Sequence, residues 1–207
     1  MNIFRRSFRY SFNSVVFYFI GINVLIYLVQ HLFSSATFYL AMIPGMVLRG
    51  RVWQFLTYMF VHDPRRWSHI LFNMLGLFIF GIQVERRMGS REFILYYLFT
   101  GGMAGLLSFV VYFFSGTNAV LLGASGAVFA VELAFAAFYP DAMIYIWGII
   151  PLRAPVMVLG YTVLELFFSL TGMQRGVAHL THLFGFAAGW VYFLVRFGIN
   201  PWKSFRS

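Results

Sequence analysis

Residues 93–114 read FILYYLFTGGMAGLLSFVVYFF and contain no charged side chain. About 20 apolar residues in a helix are enough to cross the roughly 30 Å hydrocarbon core of a bilayer. The three glycines agree with this interpretation, because membrane helices tolerate glycine. The stretch therefore predicts a transmembrane helix.

The rest of the chain has the same character. Of its 207 residues 61% are apolar and 10% are charged, which is far from the composition of a soluble domain. Uncharged stretches of similar length recur between charged or turn-forming boundaries, so we predict an all-α membrane protein with six transmembrane helices. The predicted spans are Ser14–Phe33, Ser68–Val84, Phe93–Phe114, Ala119–Tyr139, Ala154–Leu170 and Val177–Val195.

Two connecting segments are apolar in patches but are too broken to span. Residues 34–67 contain Pro44-Gly45 and Asp63-Pro64, and we expect short helices partly embedded in the membrane interface. Residues 141–153 are too short to cross and predict a loop with an apolar face. With no linker or repeat visible, residues 14–197 form one predicted six-helix domain between an N-terminal segment, 1–13, and a C-terminal tail, 198–207.

The basic residues serve as topology signals. The net charge is +9, but Lys and Arg are scattered between apolar spans instead of forming one face, so a nucleic-acid partner is not expected. By the positive-inside rule the more basic side, which carries both termini, is cytoplasmic. Ten basic residues fall on that side, Arg5, Arg6, Arg9, Arg86, Arg87, Arg91, Arg153, Arg196, Lys203 and Arg206, against Arg49, Arg51, Arg65, Arg66 and Arg175 on the other.

Two further features narrow the chemistry and the processing. The chain has no cysteine, which excludes disulfides, thiolate metal sites and cysteine nucleophiles. The arginines near the N-terminus precede an apolar stretch of full spanning length with no small-residue cleavage site after it. We therefore expect an uncleaved first helix in a cell membrane, either plasma or inner membrane.

Polar side chains inside the spans are costly and mark candidate functional positions. At about 1.5 Å per residue, Ser125 lies about 21 Å above the cytoplasmic end of span four, and His182 lies about 21 Å above the end of span six. His69 and Asn73 bracket that level at about 24 Å and 18 Å in span two. The four side chains share one predicted layer, roughly 9 Å below the outer surface of the membrane core.

A serine and a histidine at the same depth meet the first requirement of nucleophilic catalysis. Neutral imidazole can accept the hydroxyl proton during attack and return it to the leaving amine. Since the sequence shows no aspartate near the outer end of a span, and Glu132 lies two turns below Ser125, we predict a Ser-His dyad without a third carboxylate. Asn73 and His69 on one helical face, and backbone amides around Gly123 and Ala124, are the predicted oxyanion donors.

These residues form three motifs in order along the chain. They are His69-x-x-x-Asn73 in span two, Gly123-Ala124-Ser125-Gly126 in span four, and His182-x-x-Gly185-x-x-x-Gly189 in span six. With them the chain resembles the rhomboid intramembrane serine proteases from Ser14 to Phe197.

The resemblance implies a rhomboid-like bundle of six helices with a partly embedded first loop. It implies that Ser125 is the nucleophile, that His182 is the general base and acid, and that His69 and Asn73 hold the oxyanion. It also implies a water-filled cavity open to the outer face, lateral entry past the fifth helix, and no cofactor or metal. The expected substrates are single-span or other transmembrane proteins, cut at peptide bonds in or beside a weakened helix.

The sequence departs from the family pattern or stays ambiguous at four positions. Many relatives have Trp-Arg before the second helix where this chain has Trp53-Gln54, which puts the polar contacts of the first loop in question. His179 competes with His182 for the role of base, although glycines at +3 and +7 follow His182 alone. Glu132 and Glu165 are interpreted as hydrogen-bonded struts, with substrate contact as the alternative.

Three other functions compete with proteolysis. A non-catalytic rhomboid-like protein that binds membrane clients is the first, and retention of both Ser125 and His182 argues against it. A transporter would need polar residues through the full depth of the spans, where the inner halves of the even spans offer Glu132. A metal site built from His69, His179 and His182 lacks an evident carboxylate or thiolate ligand.

Overall fold

The computed structural model describes residues 8–146, 148–172 and 178–206. Within them the chain is mostly helical, as predicted, and lies in one bundle. Val177, the predicted start of span six, and Arg5, Arg6 and Arg175 of the topology argument lie outside the described residues. The long helices are α1 (Val15–Leu32), α5 (Trp67–Gly76) continued by a π-helical turn (Leu77–Gly81) and α6 (Ile82–Met88), α7 (Ser90–Phe114), α8 (Ser125–Phe138), α9 (Ala154–Thr171), and α10 (His179–Tyr192) continued by a π-helical turn (Phe193–Phe197).

Five of these helical segments are long and apolar enough to cross a membrane, and α8 is a shorter apolar helix. The prediction that span four begins at Ala119 is wrong, because the helix begins at Ser125. Leu121 instead pairs with Met42 of the first loop through two backbone hydrogen bonds of 2.9 Å each. At about 1.5 Å per residue, α8 covers about 21 Å, which is shorter than a hydrocarbon core of about 30 Å.

The first loop consists of short helices, in agreement with the prediction. It contains α2 (Ser35–Leu40), α3 (Pro44–Val47), α4 (Gln54–Thr57) and a 3-10 turn (Tyr58–Phe60). Buried Gln54 holds this loop together: its amide donates to the carbonyls of Phe38 (3.3 Å) and Tyr39 (3.2 Å), and its side-chain oxygen accepts from the N–H of Ile43 (3.2 Å). The replacement of the common arginine by Gln54 put the polar contacts of the first loop in question. The structure shows that Gln54 makes such contacts itself.

The segment between α8 and α9 differs from the predicted loop. It forms an antiparallel hairpin of β1 (Met143–Ile146) and β2 (Ile150–Arg153), with Met143 opposite Arg153. Gly148 has φ +71° in the turn, a conformation that glycine adopts without strain. The β-branched Ile144 and Ile146 were a weak strand signal, which Pro151 and the shortness of the segment obscured.

The core is built around α8, of whose 14 residues 11 are buried. Small residues permit the close packing: a Cβ built on Gly185 of α10 would lie 2.0 Å from the carbonyl oxygen of Gly126 in α8, and one on Gly105 of α7 would lie 2.5 Å from the Tyr58 ring. These glycines are therefore packing residues. A last short helix, α11 (Pro201–Phe205), closes the end of the bundle that contains Glu85 and Glu92.

Candidate active site

Ser125 is the first residue of the central helix α8. Its side chain is partly exposed, although the helix behind it is buried. The N–H groups of the first helical residues have no intrahelical acceptor, and the helix dipole adds partial positive charge at the same place. The hydroxyl of Ser125 therefore lies beside backbone donors that can face developing negative charge.

His182 lies in the first turn of α10 and contacts Ser125 directly. Its Nε2 lies 2.7 Å from the Ser125 hydroxyl oxygen, within hydrogen-bond distance. The crossing of α8 and α10 at Gly126 and Gly185 brings the two backbones close enough for this contact. The ring of Phe129 stacks on the imidazole at 4.4 Å between centroids with a 12° interplanar angle, which fixes its orientation. The level positions that residue counting predicted thus correspond to contact in three dimensions.

A carboxylate stands on the other side of the His182 ring. Oε2 of Glu165, on α9, lies 3.1 Å from Nδ1 of His182, although Nδ1 is not aligned for a hydrogen bond. The prediction that no third carboxylate accompanies the pair is therefore wrong as a statement of geometry. Residue counting missed Glu165 because it compared depths along the even spans, whereas this side chain reaches in from the fifth.

His179 does not contact Ser125 in the way that its competition for the role of base required. Its Nδ1 lies 2.6 Å from the same oxygen of Glu165, and its ring lies 5.5 Å from that of Phe168. His182 is therefore the histidine that contacts Ser125, and His179 is the histidine that forms a hydrogen bond with Glu165. The spacing of one helical turn, His179-x-x-His182, was the signal that both rings face one side.

His69 and Asn73 lie one turn apart on α5, beside the Gly123 backbone. A Cβ built on Gly123 would be 2.7 Å from Nε2 of His69, so glycine at φ +119° is required for this approach. The Asp63 N–H donates to Nδ1 of His69 over 3.5 Å, which leaves the ring hydrogen of neutral His69 on Nε2. The Asn73 amide donates to the His69 carbonyl at 2.9 Å and keeps a second N–H.

The backbone donors are not equivalent. The Gly123 N–H, predicted to face an oxyanion, donates instead to the Tyr58 carbonyl at 3.0 Å, because the turn before α8 is tied to the first loop. Ala124 is fully buried at the N-cap of α8. The geometry therefore favours donors at Ala124 and Ser125 over the amide of Gly123.

Buried His62 in the first loop packs beside this site, and it was not among the site residues that the sequence predicted. Its ring meets that of His69 at 5.1 Å with a 66° angle, while its backbone pairs with the Gln30 side chain. Neither ring nitrogen has a hydrogen-bond partner among the described residues. Burial and the neighbouring His69 lower the pKa of His62 to about 3, so this ring is neutral at physiological pH.

The structure also tests which residues can hold a metal. Among the described residues, Glu165, His179 and His182 offer three ligand atoms within 4.8 Å of one another, whereas the predicted alternative used His69 in place of Glu165. A metal would need the Nδ1 lone pairs of both histidines. In the structure those nitrogens already lie 2.6 Å and 3.1 Å from the carboxylate, so ion-pair contacts account for the cluster.

The arrangement was compared with known proteins. A family model described as "Rhomboid domain" matches residues 49–199, which is more than half of the chain. The match includes all three motifs and the Glu165 cluster.

Three curated proteins illustrate the similarity. Rhomboid-like protein 11, chloroplastic, from Arabidopsis thaliana is 33% identical over 190 residues, 84% of this chain and 62% of that protein. Rhomboid protease GlpG from Haemophilus influenzae is 36% identical over 110 residues, 52% of this chain and 54% of that protein. Rhomboid protease AarA from Providencia stuartii is 24% identical over 190 residues, 81% of this chain and 67% of that protein. The chain spans little more than half the length of the first two.

Proposed function

The chain belongs to the rhomboid family, and we propose that it is an intramembrane serine endopeptidase that hydrolyses peptide bonds in or next to transmembrane segments of other membrane proteins. One observation carries the proposal: the Ser125 hydroxyl lies 2.7 Å from Nε2 of His182 at the start of a short apolar helix. The relatives whose names include "Rhomboid protease" support the same reaction.

In the proposed mechanism Ser125 attacks the scissile carbonyl carbon while His182 takes the hydroxyl proton on Nε2. The bond from Ser125 Oγ to carbon forms as the carbonyl becomes an oxyanion. His182 then gives the proton to the leaving amine, the C–N bond breaks, and an acyl-enzyme remains. A water molecule, deprotonated by the same imidazole, hydrolyses the ester and regenerates Ser125.

The oxyanion is assigned to donors from two helices. Nε2–H of His69 and the second amide N–H of Asn73 approach from α5, and the backbone N–H groups of Ala124 and Ser125 approach from α8. Preorganised donors of this kind are worth about 100- to 1000-fold each in turnover. Gly123 contributes because it has no Cβ and so leaves room for the His69 ring. Its own N–H donates to the Tyr58 carbonyl.

The chemistry limits the substrates. A peptide inside an intact helix hides its carbonyls in internal hydrogen bonds, so a segment has to unwind before it reaches Ser125. We therefore assign as substrates single-span or other transmembrane proteins with glycine, proline or other helix-weakening residues near the cut. No cofactor or metal takes part in the proposed steps, and bilayer lipids are the other expected partners.

The proposed topology places both termini in the cytoplasm and opens the site to the outer face of a plasma or inner membrane. Residues 14–197 form the proposed protease unit, with 1–13 and 198–207 as cytoplasmic tails. Since the chain has no cysteine, single substitutions can report the sides. We expect an impermeant thiol reagent to label Ser115→Cys on intact cells and Ser207→Cys after permeabilisation. The reverse pattern contradicts this orientation.

The test of catalysis is cleavage of a single-span substrate together with labelling by a fluorophosphonate, a reagent for activated serines. We expect Ser125→Ala and His182→Ala each to abolish labelling and to lower cleavage at least about 1000-fold. Matched controls are Ser115→Ala, an exposed serine, and His31→Ala, a histidine whose ring contacts the Tyr27 carbonyl at 2.9 Å.

The outcomes separate the proposal from its main alternative. Loss of cleavage in the Ser125 and His182 variants, with both controls active, supports the protease. Unchanged cleavage in Ser125→Ala contradicts it. A wild-type protein that captures membrane proteins but neither cleaves them nor reacts with the probe is instead the non-catalytic client-binding protein.

A further inference from the structure

Glu165 sits between two histidines at the point where α9 meets α10. Its Oε2 lies 2.6 Å from Nδ1 of His179 and 3.1 Å from Nδ1 of His182. All three side chains are largely withdrawn from solvent, with 13%, 7% and 9% of their surfaces exposed. A carboxylate in such surroundings interacts more strongly with a nearby charge than it would in water.

The two imidazole nitrogens of His182 face different partners. Nε2 meets the Ser125 hydroxyl at 2.7 Å, and Nδ1 meets the Glu165 carboxylate. A hydrogen on Nδ1 leaves the lone pair on Nε2, which is the tautomer that can accept the hydroxyl proton. Glu165 therefore favours the form of His182 that the reaction needs.

His179 explains how the carboxylate is held. Its Nδ1–H donates to Oε2, and the Phe168 ring packs against its imidazole at 5.5 Å. Nearby positions on the same half of α9 are largely exposed, so this contact is an important attachment of that half to α10; these positions are Val163, Leu164, Leu166, Phe167 and Leu170. A plain strut would be satisfied by His179 alone, yet the carboxylate also reaches His182.

We propose that Glu165 is a positioning residue for the reaction, a third group behind Ser125 and His182, and that His179 fixes its carboxylate. This inference rests on the proposed proteolytic function. When His182 takes the Ser125 proton on Nε2, its ring becomes an imidazolium whose Nδ1 lies 3.1 Å from Oε2 of Glu165. The carboxylate stabilises that cation and gains no proton, and the proton passes from Nε2 to the leaving amine. The sequence alone predicted a dyad without this group.

Other titratable side chains face the cluster and enter any pH dependence. Glu132 of α8 interacts electrostatically with Glu165, Tyr161 on α9 interacts with Glu132, and His69 of α5 interacts with His182. Glu132 is buried and, unlike Glu165, makes no recorded contact with a histidine among the described residues. It therefore offers a matched control for the loss of a buried carboxyl group.

The test compares Glu165→Gln with Glu132→Gln in the full-length protein. Because the carboxylate stabilises the imidazolium that forms on His182, its removal should move the acid limb of the kcat/KM profile to lower pH. We expect kcat to fall about 10- to 100-fold, with a smaller change in KM. Glu132→Gln should move the acid limb less than Glu165→Gln does, because Glu132 interacts with Glu165 but has no hydrogen bond to a histidine among the described residues.

A second measurement does not depend on cleavage. Histidine-selective NMR follows protonation of the His182 imidazole, with Ser125→Ala or His182→Gln used to assign the signal. We expect the titration midpoint of His182 to lie at lower pH in Glu165→Gln than in the wild-type protein. If the wild type cleaves nothing while this midpoint moves, the proposed function fails and the coupling of Glu165 to His182 stands.

Two further variants test the same proposal. Glu165→Asp withdraws the carboxylate by one methylene and should give an intermediate shift if Glu165→Gln does not fold. His179→Gln retains an amide donor and should preserve most of kcat, whereas His179→Phe should not. A folded Glu165→Gln protein with the wild-type acid limb and the wild-type midpoint overturns the proposal.

Discussion

The two ends of the bundle differ in how their buried polar side chains are paired. At one end, fully buried Glu85 accepts the N–H of Val15 (2.9 Å) and of Val16 (3.1 Å) and the hydroxyl of Ser90 (2.6 Å), so it caps α1 and ties it to α7. Glu92 there accepts the Tyr192 hydroxyl and two N–H groups of Arg196. At the Ser125 end, by contrast, three histidines carry four buried ring nitrogens without a hydrogen-bond partner among the described residues.

This difference separates a structural end from a reactive end. Buried polar groups that are fully paired stabilise one conformation, whereas buried groups without partners are costly and are retained where chemistry uses them. The end with Glu85 and Glu92 is held by side-chain hydrogen bonds. At the end with Ser125 and His182, α8 and α10 meet through the backbones of Gly126 and Gly185, and the His179–Glu165 hydrogen bond joins α9 to α10.

The largest effect is expected from Gly185→Val. A Cβ here would lie 2.0 Å from the Gly126 carbonyl oxygen, so α10 has to move away from α8 and carry His182 from Ser125. We expect cleavage and fluorophosphonate labelling to fall more than about 100-fold, and the free energy of unfolding in detergent to fall by about 1–3 kcal/mol or more. Thermal unfolding and labelling of the same preparation give both quantities.

The next effect is that of Glu85→Gln at the other end. The amide keeps one acceptor oxygen but turns an N–H group toward backbone donors, leaving a buried donor unpaired. We expect the free energy of unfolding to fall by about 1–3 kcal/mol. Labelling per folded molecule should stay at the wild-type level, since Glu85 takes no part at the Ser125 end. A loss of labelling in folded Glu85→Gln protein would mean that the two ends of the bundle are structurally coupled.

The smallest expected effect is that of Gly160→Ala on α9, the matched control for Gly185. A Cβ on Gly160 meets no other atom within 4 Å among the described residues. Alanine also favours a helix by up to about 1 kcal/mol over glycine in water. Cleavage should stay within about twofold of wild type and the protein should unfold at the same temperature or slightly higher. A large loss would mean that α9 packs more tightly than its exposed surface indicates.

The structure agrees with the sequence prediction where a local pattern was decisive. Long uncharged stretches predicted the positions of the long helices, and the structure has helices at those positions. The start of α8 was misplaced because Leu121 pairs with Met42, nearly eighty residues earlier, and no local pattern reports such a pairing. The β1–β2 hairpin was missed for a related reason, since two four-residue strands stabilise each other and neither is recognisable alone.

The candidate site divides in the same way. Depth counting placed Ser125 and His182 at one level, because the rise of a helix per residue is constant. It did not find Glu165 beside His182, and it assigned to Gly123 an amide that the Tyr58 carbonyl occupies. Both contacts depend on how neighbouring segments are rotated and tilted relative to one another. Counting residues along one helix gives no information on that orientation.

By itself, the sequence determined that this chain is a helical membrane protein with a serine and a histidine at matched depth. Hydrophobicity and helical rise are properties of single segments, so they can be read without knowing which segments are neighbours. The tertiary structure alone decided that the two side chains touch, that a carboxylate stands behind the histidine, and which backbone amides remain available. Those facts are relations between segments distant in the chain, and packing of the whole bundle sets them.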